Sequence, residues 1–301
     1  MASQREVRTR IASFKNIQKI TRAMEAVSAA RLRRAEQRIA ALRPYASAIR
    51  RMTRQAAKDA GAEVSRLPLL AVRDPQEKVG ILLVTADRGL AGAFNSQIVR
   101  AGLLLAEEIE GDHQTPVWFA TGRRGVSSLT FRGKELNGSY TGFTDRPAYA
   151  DARAIASDLM AAYVDGAVDR VDIIYNGYVS PLTQRVTRET LLPVAAATIL
   201  EKDEDEEAAE LSEGPRPLVE YEPDPEEILR VLVPDYVEIS LYRALLESTA
   251  SEHGARMTAM RSASDNAGEL IEDLALEMNR ARQAEITQEI LEVVAGAGSL
   301  V

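Results

Sequence analysis

A chain of 301 residues that is 46% apolar and 27% charged has the balance of a globular protein, with length for one large domain or two small ones. Aromatic residues make up only 5%, which leans toward helix packing over an all-β core, and the net charge of −8 argues against nucleic acid as principal partner. With no cysteine, disulfides, thiolate metal sites and thiol redox control are excluded.

Charge is unevenly spread. Residues 1–60 carry about fifteen Lys/Arg against about four acids, whereas 201–213 is strongly acidic, with eight Asp/Glu against one Lys. Opposed blocks of this kind suggest that different parts of the chain meet different surroundings. The first twenty residues lack the apolar run of a signal peptide, and no stretch has the length of a membrane span. A cytoplasmic protein is expected, at most peripheral to a membrane.

The prolines divide the molecule, since none precedes Pro44 and none follows Pro234. An internal proline breaks or kinks a helix, so both ends are free to form long helices and the middle is not. From about Gln4, the residues Val7, Ile11, Phe14, Ile17, Ile20, Met24 and Val27 recur at three- and four-residue steps. The pattern resumes at Ile39, Leu42, Ile49 and Met52, with a kink expected near Pro44 and an end at Gly61 to Pro68.

The middle alternates as an α/β domain does. Residues 78–86 (KVGILLVTA) read as a buried strand, followed by a helix over 93–110. A strand at 116–121 (PVWFAT), a short helix at 123–131, a helix at 148–166 and a strand at 171–178 come next. Residues 183–192 (TQRVTRETLL) alternate polar and apolar and read as an antiparallel edge strand. The acidic stretch 201–216 reads as an exposed loop.

From about Asp235 to Ala295 there is no proline, and Leu241, Leu245, Met260, Ala267, Leu270, Leu274, Met278 and Ala281 form a loose apolar stripe. Sixty helical residues span roughly 90 Å at 1.5 Å each, far beyond a compact domain. A helix of that length needs a partner, and the other terminal helix supplies one. The expected fold is therefore an α/β chain in which the N- and C-terminal helices pair as a long antiparallel coiled coil with an inserted Rossmann-like α/β domain. Its parts are an N-terminal helix over 1–66, a globular domain over 67–234, and a C-terminal helix over 235–301.

Motifs for chemistry are sparse. The segment TADRGLAGAFN (85–95) follows a strand and precedes a helix, where a phosphate-binding turn would sit. Its glycines, Gly89 and Gly92, do not complete G-x-G-x-x-G, and no G-x-x-x-x-G-K-[ST] occurs. A structural turn is the better reading. His113 and His253 lack ligand-spaced neighbours and read as surface residues, and no G-x-S-x-G is present. No catalytic, cofactor-binding or metal residue is assigned, and no cofactor is expected. The basic face of 5–58 shares its helix with an apolar stripe and lacks interleaved aromatics, so it reads as solvated or protein-facing.

The C-terminus reads Ile286-Thr287-Gln288-Glu289-Ile290-Leu291-Glu292 and then Val293-Val294-Ala295-Gly296-Ala297. This resembles the signature of ATP synthase gamma subunits: I/V-T-x-E, two spacers, an acid, three spacers, Gly-Ala. SEHGARMTAMRSASDNAGELIEDL (251–274), RARQAEITQE (280–289), KITRAMEAVSAARLRRA (19–35) and TADRGLAGAFN also resemble that family, in family order and across essentially the whole chain. The family's chloroplast members carry a cysteine-bearing regulatory insert, which a cysteine-free chain cannot reproduce.

The resemblance implies a bacterial, non-catalytic rotor shaft. Such a shaft turns inside a ring of alpha and beta subunits and couples proton-driven c-ring rotation to ATP synthesis, or reversibly to hydrolysis. It implies one copy per complex, docking on the epsilon subunit and the membrane c ring, at the cytoplasmic face of the cell membrane without insertion. Met24, Arg256, Gln283, Thr287 and Glu289 match positions that face the catalytic subunits, and Tyr221, Glu222 and Asp224 match the foot. Without the resemblance, a coiled-coil adaptor or scaffold with a non-catalytic α/β head remains open, as does a nucleotide-binding enzyme using residues 85–95.

Overall fold

The computed structural model describes residues 4–61, 67–194 and 224–298. The chain begins with helix α1 (Gln4–Ala60) and ends with helix α5 (Pro225–Gly298). Between them lie β1 (Lys78–Val84), α2 (Phe94–Gly111), β2 (Thr115–Thr121), α3 (Arg123–Phe131), β3 (Leu136–Tyr140), α4 (Tyr149–Val164), β4 (Arg170–Tyr178) and β5 (Gln184–Leu192). The chain packs as two compact units, one formed by 1–30 with 256–301 and the other by 31–255.

The larger unit is a five-stranded sheet in the order β3-β2-β1-β4-β5. β1 pairs in parallel with β2 and β4, β2 in parallel with β3, and only β5 runs antiparallel, against β4. Strand β1 shows why both faces are covered. Val79, Ile81 and Leu83 alternate onto one face beneath Ile98, Leu105 and Ile109 of α2 and Leu129 of α3. Leu82 and Val84 face the other side, in a core with Ile155, Leu159 and Tyr163 of α4, Ala56 of α1, and Val237, Leu241 and Leu245 of α5. A near-continuous apolar run is what a strand buried on both faces requires. Helix α2 approaches β1 closely at Gly102, where a Cβ would meet Leu83 Cδ2 at 2.5 Å. Strand β5 is fastened by fully buried Asp172 of β4, which accepts from Arg188 Nη2 (3.0 Å) and Thr190 Oγ1 (2.8 Å).

Two element boundaries differ from expectation. Strand β3, LNGSY, was not anticipated: it carries Gly and Asn and only half-buries alternate residues at the sheet edge. Helix α5 starts at Pro225 and passes through Pro234 rather than starting after it. Pro225 occupies the first helical position, where the missing N–H costs nothing, and Glu226 and Glu227 follow it in the first turn. An interior proline costs about 3 kcal/mol. Burial of Leu229, Leu232, Val233 and Val237 on the same turns outweighs it.

The smaller unit is an antiparallel helix pair. On α1 the less exposed positions run Val7, Ile11, Phe14, Gln18, Thr21, Glu25 and Ser28, in alternating four- and three-residue steps. On α5 they run Met257, Met260, Ser264, Ala267, Ile271, Leu274, Met278 and Ala281. That alternation is the 3.5-residue repeat of a coiled-coil seam. Gln18 Nε2 donates to the Ser264 carbonyl (3.3 Å), Arg22 Nε to Ser264 Oγ (3.3 Å), and Arg261 Nε to Glu25 Oε1 (2.8 Å).

The seam corrects part of the expected stripe. Ile17, Ile20 and Val27 are 46%, 58% and 53% exposed, and Leu270 likewise faces outward while Ile271 takes the seam. Two stripes one residue apart both satisfy the three-and-four spacing. Over this stretch the helices meet along the stripe carrying Gln18, Thr21, Glu25 and Ser28, where Gly268 comes close to Gln18 Nε2. His253 is a second correction: it is 1% exposed rather than on the surface. The α5 stretch 248–254 is buried on every side of the helix, which a histidine's position in sequence does not reveal.

Candidate functional site

The segment 85–95 sits at the C-terminal end of β1, next to the point where the strand order reverses between β1 and β4. In doubly wound folds that crevice takes nucleotides. Here it is packed with the chain's own groups. Asn95 Oδ1 accepts from Ala86 N (2.9 Å), and Asn176 Nδ2 donates to the Phe94 carbonyl (3.1 Å). Thr85 Oγ1 donates to the Thr121 carbonyl (2.6 Å) and accepts from Gly125 N (2.8 Å). Val84, Thr85, Thr144, Pro147, Leu245, Ser248, Thr249 and Glu252 surround a cavity of about 10 Å³, at most a single water. Among the described residues no group of His, Cys, Asp or Glu is placed to hold a metal.

What the segment does is tie elements together. Asp87 Oδ2 accepts from Gly142 N (2.9 Å), Thr144 N (3.2 Å) and Thr144 Oγ1 (3.0 Å), and Asp87 Oδ1 accepts from Arg123 N (3.0 Å). Next in sequence, Arg88 reaches Asp145 Oδ2 at 3.5 Å. Desolvation raises the pKa of Asp145, but a hydrogen bond from Arg31 and the charges of Arg31, Arg88 and His253 outweigh it and hold the carboxyl below the ordinary range.

The helix pair presents the other candidate surface. Met24 is half-buried on the flank of the seam, and Ile17, Ile20 and Val27 stand exposed beside Lys15 and Lys19. Beyond Ala281, every residue of α5 from 282 to 291 is exposed, including Ile286, Ile290 and Leu291. Gln283, Thr287 and Glu289 lie on that stretch, Thr287 Oγ1 donating to the Gln283 carbonyl (2.8 Å). An isolated helix of apolar and charged residues exposed on all faces is marginal in water, so a partner surface suits it. Arg256 does not share this exposure. It is 6% exposed.

Of the residues expected at the foot, Asp224 is exposed immediately before α5 and its carbonyl accepts from Ile228 N. Tyr221, Glu222 and the acidic stretch 201–216 lie outside the described residues. The sequence reading missed the loop 142–149 altogether. Its signal, a run of single polar residues each bonded to a different element, has no periodicity to detect.

Among the described residues no helix is long and apolar enough to cross a membrane. The family model described as ATP synthase matches residues 3–300. The chain is similar to the ATP synthase gamma chain of Rubrobacter xylanophilus, 43% identical over 300 residues, covering 100% of this chain and 99% of the relative. It is similar also to that of Heliobacterium modesticaldum, at 42% identity and full coverage of both chains. A chain in the central stalk and c-ring structure of the Tetrahymena thermophila mitochondrial ATP synthase superposes with a TM-score of 0.60 at 26% identity, over 81% of this chain and 99% of that one. A chain of the Euglena gracilis mitochondrial ATP synthase shares the fold, with a TM-score of 0.67 at 17% identity over 99% and 94% of the two chains. A family match over nearly every residue, together with relatives above 40% identity along their whole length, means that the chain belongs to the ATP synthase gamma-chain family.

Proposed function

We propose that this chain is the central rotor shaft of a bacterial ATP synthase and is not itself a catalyst. It is present once per complex and peripheral to the cytoplasmic face of the membrane. The helix pair stands in the central cavity of the alpha and beta subunits, and the foot around Tyr221, Glu222 and Asp224 docks on the epsilon subunit and the c ring. Rotation presents each catalytic subunit with a different side of the shaft. Each side stabilises a different nucleotide-binding state, so turning becomes a shift among populations.

The observation that carries this reading is the helix pair, whose α1 seam turns polar at Gln18, Thr21, Glu25 and Ser28 while apolar side chains turn outward at Ile17, Ile20 and Val27 and along 282–291. A helix pair that only needed to hold itself together would bury those residues. An outward apolar surface broken by Lys15, Lys19, Gln283 and Thr287 fits a surrounding collar that is met in several orientations. Met24, Arg256, Gln283, Thr287 and Glu289 are the contacts with the catalytic subunits under this reading. The test is purification of a tagged chain from membranes. An ATPase head co-purifying with the chain supports the shaft; a self-associated chain without a head supports an adaptor instead.

A further inference from the structure

The loop Thr144 to Tyr149 is bonded at the same time to both long helices and to the β1 loop. From α1, Arg31 Nη1 pairs with Asp145 Oδ2 and Arg38 Nη2 donates to the Pro147 carbonyl. From α5, Thr249 Oγ1 donates to the Thr144 carbonyl (3.0 Å), and Glu238 Oε2 accepts from Tyr149 Oη (2.6 Å). Tyr242 of α5 meets Tyr149 edge to face with centroids 5.7 Å apart, and its hydroxyl accepts from Arg38 Nη2 at 2.9 Å. From the β1 loop, Arg88 shares Asp145, and Asp87 holds Thr144 by both its backbone N–H and its hydroxyl.

The spacing is that of two helix faces. Arg31 and Arg38 are seven residues apart, as are Tyr242 and Thr249, so each pair points the same way from its helix. The contacts lie at the start of the α1 portion of the 31–255 unit and on the facing length of α5. Elsewhere in this unit α1 is held by apolar contacts at Ala56, Ala57 and Ile49 and by Tyr178 of β4, whose hydroxyl donates to Glu36. Apolar packing resists separation but is non-directional, so it opposes twist weakly. Hydrogen bonds and ion pairs are directional and lose their geometry when one element rotates past another.

We propose that the loop 144–149 is a torsional clasp. Asp145, acting through Arg31, is the positioning residue that fixes the rotational setting of α1 against the α/β domain. This rests on the shaft reading above. Under that reading, torque delivered to the domain enters α1 sideways through the clasp as well as along the helix. Loss of the clasp leaves α1 attached but softer in twist.

The test uses the assembled membrane complex. Because the chain has no cysteine, Glu135→Cys, exposed just before β3, gives it a single thiol, so that the purified chain can be labelled with a rotation probe before it is assembled. The angular spread of the probe, with the head locked by inhibitor, measures twist. Asp145→Asn and Arg31→Gln are each expected to widen the variance by about twofold or more, the lower end of what single residues in a coupling network produce. The conservative variant Arg31→Lys, which keeps a cation beside Asp145, is expected to recover most of the wild-type spread lost in Arg31→Gln. A merely structural role would alter yield but not this restoration. Wild-type variance in assembled Asp145→Asn or Arg31→Gln overturns the clasp. Should Asp145→Asn fail to assemble, Arg31→Gln decides alone, since a half-exposed arginine is dispensable for folding. If even the unmodified chain recovers no head, the shaft reading has failed and not the clasp.

Discussion

Asp87 accepts the backbone N–H of Arg123, the residue that opens α3, at 3.0 Å. A helix N-terminus at the end of a parallel strand is where this fold offers N–H groups to a phosphate. Here an internal carboxylate stands in that place, and its second oxygen ties down Gly142 and Thr144.

The first prediction follows from that bond. The purified chain is expected to give no calorimetric heat with ATP or NAD at millimolar concentration, and to hydrolyse neither. Asp87→Ala is expected to cost about 2–4 kcal/mol, since several charge-assisted bonds are lost together. Saturable nucleotide binding that Asp87→Ala abolishes would show the segment 85–95 to be a site.

Two glycines near this loop separate strain from mere composition. Gly122 has φ +81°, and a Cβ there would lie 2.2 Å from the Thr85 carbonyl oxygen. Gly89 has ordinary backbone geometry, and its Cβ would meet only the movable end of Arg124. Gly122→Ala is expected to cost about 2–4 kcal/mol in denaturant unfolding, and Gly89→Ala under about 1 kcal/mol. Equal costs would mean that the turn's backbone is not what demands glycine.

Glu247 supplies a pH prediction. Burial raises its pKa, the charge of Glu189 adds to this, and Arg243 only partly offsets it, so its folded-state value lies above the ordinary 4.5. In the window between 4.5 and that raised value the folded state holds more protons than the unfolded one, so stability falls as pH rises. Above the window the loss is complete. Glu247→Gln is therefore expected to raise the unfolding midpoint at neutral pH and to have little effect below pH 4.5. A neutral-pH loss of stability would mean that the ion pair with Arg243 (3.5 Å) outweighs the burial of charge.

How legible these features were in the sequence depends on what each one rests on. Strands β1, β2 and β4 are apolar runs bounded by turn residues, and α3 matched its expected limits, because burial on both faces writes itself into composition. The helix pair was legible as a 3.5-residue repeat, but its phase was not. Ile17 and Gln18 are neighbours, each heading a stripe with the same spacing, and hydrophobicity alone selects the wrong one. Where a shaft surface must be apolar, inside and outside exchange their usual signals. The loop 144–149 and Asp87 were invisible for another reason: their partners, Arg31, Thr249 and Arg123, are remote in sequence and reveal themselves only in the fold.

Met24 brings the phase question to a test. It lies half-buried between seam residues Thr21, Glu25 and Ser28 and the outward Ile20 and Val27. In Met24→Lys the four-carbon stem can cover the same apolar flank while the ammonium reaches water, so little desolvation is imposed. The isolated chain is therefore expected to lose no more than about 1 kcal/mol and to assemble normally. Inside a ring of catalytic subunits the new cation meets partner carboxylates in some rotary positions and not in others. A pair of that kind contributes roughly 1–3 kcal/mol when partly desolvated, enough to trap the favoured positions and make rotation uneven. The expected phenotype is near-normal ATP hydrolysis with poor ATP-driven proton pumping, partly restored when the partner carboxylate is neutralised. Unfolding of the isolated chain would place Met24 in the seam after all. Normal assembly with wild-type pumping would remove it from the partner-facing surface and leave Ile17, Ile20 and Val27 to be tested in its place.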